Sequence, residues 1–206
     1  MEQKPPTQFV DTSETVRALI DVLSTVEAES GCIHLDLEGV ALSPHGSISI
    51  IQAWIPTLEQ AFIVDVHTLG AQVQTHKVLI FDVRNDADAL FKAGLAGIMD
   101  IQLLELASRK GSRDQICGLA ACLKQEKVLP RLDQDEWQSR KTKVTQMFDP
   151  RLGGSYAVWN VRPLPQILTG YGVADVQLLP ALPVRTKSAP TMSGWKWFAR
   201  NSKRDR

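Results

Sequence analysis

A chain of 206 residues with 44% hydrophobic and 22% charged residues has the make-up of one globular domain with a sizeable core. No apolar run approaches the ~18 residues of a bilayer-spanning helix, so a membrane span is excluded. The 23 basic and 23 acidic residues balance, but seven of the basic ones and a single acid fall in residues 185–206; an acidic body with a basic tail lacks the broad basic surface of most nucleic-acid binders, and any such activity must rest on a local site.

Residues 1–10 are expected to form an N-terminal extension, and MEQKPPTQFV has no apolar segment behind a basic start, which points to the cytoplasm or nucleus rather than secretion. Asp11 and Glu14 have capping-box spacing, and Val16, Leu19, Ile20, Leu23 and Val26 recur on one face, predicting an amphipathic helix of about 16 residues. A β-rich block follows: CIHLDL (32–37), GSISIIQAWI (46–55) and AFIVDV (61–66), separated by the turn segments SPHG and PTLEQ. Turns this short predict an antiparallel three-strand meander. VLIFDV (78–83) reads as a fourth strand and NDADALFKAG (85–94) as a short helix ended by Gly94. Residues 101–124 read as helices with a break near Gly111, and KQEKVLPRLDQDEWQSRKTK has the charge pattern of a solvated helical face. FDPRLGGSYAVWN is loop-like, RPLPQILTGYGVADVQLLPAL runs into a helix, and the Pro/Ser/basic stretch after Pro183 reads as a flexible tail. Strands first, then a strand with alternating helices, predict an α/β fold with a mixed sheet flanked by helices.

Three cysteines, Cys32, Cys117 and Cys122, cannot all pair, and the spacing of the last two matches no zinc knuckle. They read as buried thiols in a reducing compartment.

Asp36 and Glu38 are the chemically loaded pair. In a strand, residues two apart share a face, here together with His34, at a spacing of about 6.6 Å. Two carboxylates on a half-buried strand repel one another and lose hydration unless something positive neutralises them, and oxygen donors suit Mg²⁺ or Mn²⁺. Taken alone, the D-x-E pattern reads as the solvent face of an alternating strand. Further acids give it weight: Asp82, Asp86 and Asp88 fall at a strand end and helix start, where α/β sites collect, and Tyr171 and Asp175 lie one above the other on a helix. The tail segment GWKWFARNSKRDR mixes Trp195, Trp197 and Phe198 with basic residues, which suits either stacking on single-stranded bases or a disordered end with a nuclear-import patch.

HLDLEGV, KVLIFDVRNDADALF, GIMDIQLLELASR and RPLPQILTGYGVADVQLLPAL stand in the order of the successive motifs of the DEDD 3′-5′ exonucleases. Over residues 10–182 the chain resembles the Tyr-containing (DEDDy) subgroup typified by ribonuclease D. D-L-E-G-V, F-D-V-R-N-D-x-D-A-L, and G-G-S-Y before R-P-L look closest to fungal 3′-5′ exonuclease-domain proteins. The resemblance implies a ribonuclease H-like domain over 11–183 with the basic tail at 184–206. It matches Asp36 and Glu38 to the first motif, Asp86 to the second, and Tyr171 with Asp175 to the third. Asp36, Glu38, Asp86 and Asp175 would then hold two Mg²⁺ or Mn²⁺ and Tyr171 would orient the attacking water, for hydrolysis of single-stranded 3′ ends of RNA or DNA to nucleoside 5′-monophosphates. His34 is expected at the edge of this set, Asp100 in a structural hydrogen bond, and Arg84 and Arg162 either on a phosphate or on a carboxylate.

The link from His67 to Lys77 is shorter than the family's usual helical crossover, and Pro180, Pro183 and Pro190 interrupt the end of the domain. Both imply a shortened form. The alternative expectation is a catalytically inactive exonuclease-like domain acting as an RNA-associated scaffold or protein-interaction module.

Overall fold

The computed structural model describes residues 5–28, 33–42, 46–70, 79–80, 99–109 and 111–182. Strand β1 (Thr7–Val10) is followed by helix α1 (Ser13–Ala28), then β2 (His34–Val40), β3 (Ser47–Ile55) and β4 (Gln60–Val64). A one-turn helix α2 (Val66–Leu69), two short strands β5 (Leu79–Ile80) and β6 (Met99–Asp100), and helices α3 (Ile101–Ser108), α4 (Leu119–Gln125), α5 (Arg131–Phe148) and α6 (Gln166–Leu178) complete the order. The six strands form one mixed sheet in the order β1-β4-β3-β2-β5-β6. β2, β3 and β4 are the expected antiparallel meander, while β1 runs parallel to β4, β5 parallel to β2 and β6 parallel to β5.

The 16-residue α1 has the predicted length, but its cap is not Asp11. Thr12 and Thr15 cap reciprocally: the Thr12 hydroxyl accepts from the Thr15 amide at 3.2 Å and the Thr15 hydroxyl accepts from the Thr12 amide at 3.0 Å. Threonine fits the first position of a capping box, and a hydroxyl in place of the usual Glu or Gln reaches back because the span is short. AFIVDV stops being a strand at Val64, because Asp65 turns its side chain to the Thr68 amide and starts α2. The link after β4 therefore opens on a helical turn rather than as plain loop. Residues 71–78 lie outside the described set, as do the predicted helix 85–94 and the tail.

Each face of the sheet has its own core. On one side α1 packs Leu19 and Val26 against Leu35, Leu37, Ile51, Ala53, Phe62 and Val64. On the other, Ile50, Trp54, Ala61 and Ile63 meet Ile101 of α3, Leu123 of α4, Val144 of α5 and Val176 of α6. Covering both faces explains why β3 reads as a nearly continuous apolar run instead of an alternating one. Trp159, fully buried in a short 3₁₀ turn (Tyr156–Asn160), fills the second core beside the rings of Phe148 and Tyr171 at 5.6 and 6.1 Å. Cys122 is buried and Cys117 half-buried, both as free thiols; Cys32 lies outside the described residues.

Candidate active site

Alternation along β2 turns Leu35 and Leu37 into the α1 core and leaves Asp36 and Glu38, both half-buried, on the opposite face. In the β2/β3 ladder Asp36 lies across from Gln52 and Glu38 across from Ile50. The register slips between Glu38 and Gly39. A side chain at Gly39 would place its Cβ 2.1 Å from the Ser47 carbonyl oxygen, so this bulge admits glycine alone. The irregularity thus ends the acidic stretch of β2 at Glu38.

The other half comes from α6. Tyr171 and Asp175 are 7% and 5% exposed, one turn apart on the face that meets the sheet. Gly172 is what lets the helix come so close: a Cβ there would stand 2.6 Å from the Gln52 side chain. Since Gln52 is paired with Asp36, that contact brings the Tyr171–Asp175 turn over the acidic pair. Asp36, Glu38, Tyr171 and Asp175 all line one cleft of about 600 Å³.

The electrostatics follow from this convergence. Burial, and then the negative charges of Glu38, Asp175 and Asp36, push the Tyr171 phenol far above the ordinary tyrosine range, so it is a neutral hydroxyl. Burial also pushes the Asp175 carboxyl up, against the opposing pull of the neighbouring Lys141 ammonium. Lys141 Nζ bonds Asp175 Oδ2, whereas Oδ1 is buried without a hydrogen-bond partner. An orphaned carboxylate oxygen in a cleft with two more acids suits a hard divalent cation. Among the described residues, however, no group of three or more His, Cys, Asp or Glu side chains is drawn close enough to hold an ion. Asp86, expected to supply the remaining carboxylate, lies outside them, with Asp82, Asp88 and Arg84.

Other candidates fall into structural roles. His34 does not line the cleft; it is 6% exposed and burial lowers its pKa to about 4, leaving a neutral ring. Asp100 caps α3, accepting from the Gln102 and Leu103 amides at 2.8 and 3.1 Å. Arg162 takes a carboxylate: it grips Asp65 with Nε at 2.5 Å and Nη2 at 2.6 Å, and donates through Nη1 to the Trp159 and Val161 carbonyls at 2.8 Å.

Lys141, Gln52 and Gly172 had no place in the sequence reading. The charge pattern around Lys141 predicts a solvated face, yet Trp137, Lys141, Val144 and Phe148 recur at 4, 3 and 4 residues along α5. That is one helical stripe, with Trp137 and Val144 buried, and a lysine inside it was the readable sign of a buried anion nearby. Gln52 gave a weaker sign, a lone amide inside the apolar run of β3.

No family model matches the chain and no curated protein matches it. Among solved structures, RNase D of Trypanosoma brucei is similar at a TM-score of 0.64 and 27% identity, over 92% of this chain and 68% of that one. The GMP complex of the same enzyme gives 0.65 and 25% over 90% and 58%, and its complex with RNA U12 gives 0.66 and 23% over 91% and 64%. The chain thus spans 58% to 68% of the length of these RNase D chains. The α/β fold, a mixed sheet flanked by helices, is that of the RNase D-type exonuclease domain, the ribonuclease H-like architecture expected from the motifs.

Proposed function

We propose that this chain is a divalent-cation-dependent 3′-5′ exonuclease that removes nucleoside 5′-monophosphates from single-stranded ends. The observation that carries the reading is the convergence of Asp36 and Glu38, from a strand, with Tyr171 and Asp175, from a helix, on one cleft within an RNase D-like fold. Asp36, Glu38, Asp175 and Asp86 are the oxygen donors for two Mg²⁺ or Mn²⁺. When bound, such ions activate a water and stabilise the leaving 3′ oxygen. Tyr171, neutral and buried beside the acids, orients that water through its hydroxyl. The rings of Phe148 and Tyr156, which line the same cleft with centroids 6.3 Å apart, offer π-faces to the terminal bases. That T. brucei RNase D has been captured with RNA U12 and with GMP supports nucleic-acid binding by this fold. Kinship with fungal exonuclease-domain proteins rests on the sequence motifs alone.

A 5′-labelled oligonucleotide incubated with the protein and Mn²⁺ is expected to give a ladder that shortens from the 3′ end, abolished in Asp36→Ala. Matched RNA and DNA strands in parallel identify the sugar preference. The absence of a ladder, or a ladder that survives Asp36→Ala, refutes the catalytic reading in favour of an inactive RNA-associated scaffold. That second reading draws on the short link from His67 to Lys77 and on Pro180, Pro183 and Pro190 near the end of the domain.

A further inference from the structure

Asp175 is 5% exposed, and a carboxylate so far from water is stable only with a positive partner. That partner comes from another element: Lys141, 34 residues earlier on α5, reaches Oδ2 with its ammonium. The same ammonium lies 5.1 Å from the ring centre of Trp137 and 4.9 Å from that of Tyr171, a cation–π arrangement on both. Lys141 is also part of the cleft wall, and its side chain keeps 24% exposure. It is anchored by three groups yet has a flexible four-carbon stem and a route to solvent. Beside it, Asp175 Oδ1 is buried and unpartnered.

We propose that Lys141 is the resident counter-ion of the site: it neutralises Asp175 while no divalent cation is bound, and it must yield that position for the cation to enter. The idea rests on the nuclease reading above and deepens it by naming what sets the cation concentration at which the site fills. A divalent ion on Asp175 has to displace the ammonium, whether it takes Oδ2 itself or approaches Oδ1, because the two positive charges would otherwise stand a carboxylate's width apart, and that displacement carries a penalty that a neutral residue at 141 removes. Lysine suits such an exchange because its compact charge rehydrates readily once it leaves, whereas a bidentate guanidinium would hold on. The contacts to Trp137 and Tyr171 keep the ammonium from wandering in the cation-free protein, and Tyr171 is itself a site residue, so departure of Lys141 also clears the face of its ring.

The test uses the full chain with Mn²⁺ as probe, titrated calorimetrically into wild type, Lys141→Met, Lys141→Gln and Lys141→Arg, with thermal midpoints recorded in chelator and at saturating Mn²⁺. Both neutral variants are expected to melt earlier than wild type in chelator, to bind Mn²⁺ on the order of tenfold more tightly, within the usual range of coupling between sites, and to gain more in melting temperature from Mn²⁺. Lys141→Arg, which keeps the charge, is expected to bind no more tightly than wild type. In wild type itself, acetylation of Lys141 followed by mass spectrometry is expected to accelerate when Mn²⁺ is added, a readout that needs no variant to fold. Neutral variants with unchanged or weaker Mn²⁺ affinity, or Lys141 labelling that Mn²⁺ leaves unchanged, overturn the proposal while a Mn²⁺-dependent ladder still upholds the nuclease reading. If wild type binds no Mn²⁺ at all, both fall together.

Discussion

Tyr171 is two things at once, a wall of the core and a member of the candidate site. Its ring packs against Trp159 and Phe148 at 6.1 and 6.3 Å, while its hydroxyl end lies among Asp36, Glu38 and Asp175, whose charges disfavour a phenolate. Because the phenol is raised above its ordinary value of 10.0, it stays protonated across the whole working range and can only donate or relay a hydrogen bond. Tyr171→Phe keeps the ring packing and removes that hydroxyl alone. The expected outcome is a cleavage rate lower by about 10²-fold, the lower end of what a positioned proton-handling group contributes, with Mn²⁺ affinity and melting temperature close to wild type. A variant that retains full turnover rules out a role for the hydroxyl in orienting water.

The helix α6 owes its function to where it sits. Its sequence, QILTGYGVADVQL, has two glycines in thirteen residues, an unfavourable composition for a helix, and at Gly172 the reason is the close approach to Gln52 on β3. Gln52 is fully buried, so its side chain has no open space into which to retreat. Gly172→Ala gains helix propensity but forces the helix off the sheet, and the expected net is a loss of about 1–3 kcal/mol, the usual cost of overpacking. Chemical denaturation measures that loss. Because Tyr171 and Asp175 ride on the same turn, cleavage by the folded variant is expected to fall as well, and a stable, fully active Gly172→Ala would show that the contact does not set the site.

At the scale of the molecule, one ion pair ties the segment before α6 to the sheet. Asp65, at the end of β4, and Arg162, ahead of α6, meet across 97 residues. The pair is largely buried, with side chains 8% and 22% exposed. Arg162→Ala is expected to cost about 2 kcal/mol, below the range for a fully buried pair because the arginine keeps some solvent. Burial alone would raise the Asp65 carboxyl, but bonds from Arg162 and Thr68 hold it below its ordinary 3.8. A depressed carboxyl contributes stability that is complete above the unfolded value and is lost as pH falls through the lower folded value. The wild-type advantage over Arg162→Ala should therefore persist from neutral pH down to about 4 and shrink below it, as urea titrations at stepped pH would reveal. Much of this architecture was legible in the chain itself. The meander, the length of α1, the break before α4 and the helical pairing of Tyr171 with Asp175 follow from periodicity and local turn chemistry, which act over a few residues and leave a pattern in them. The parallel strand β1, the grip of Arg162 on Asp65, the seat of Gly172 on Gln52 and the reach of Lys141 to Asp175 were decided by tertiary structure. Most of these are contacts between segments distant in sequence, and a residue's partner across such a distance is chosen by packing rather than by its neighbours. The chain thus carried the carboxylates and their spacing, while only the fold determined that the Lys141 ammonium stands beside Asp175.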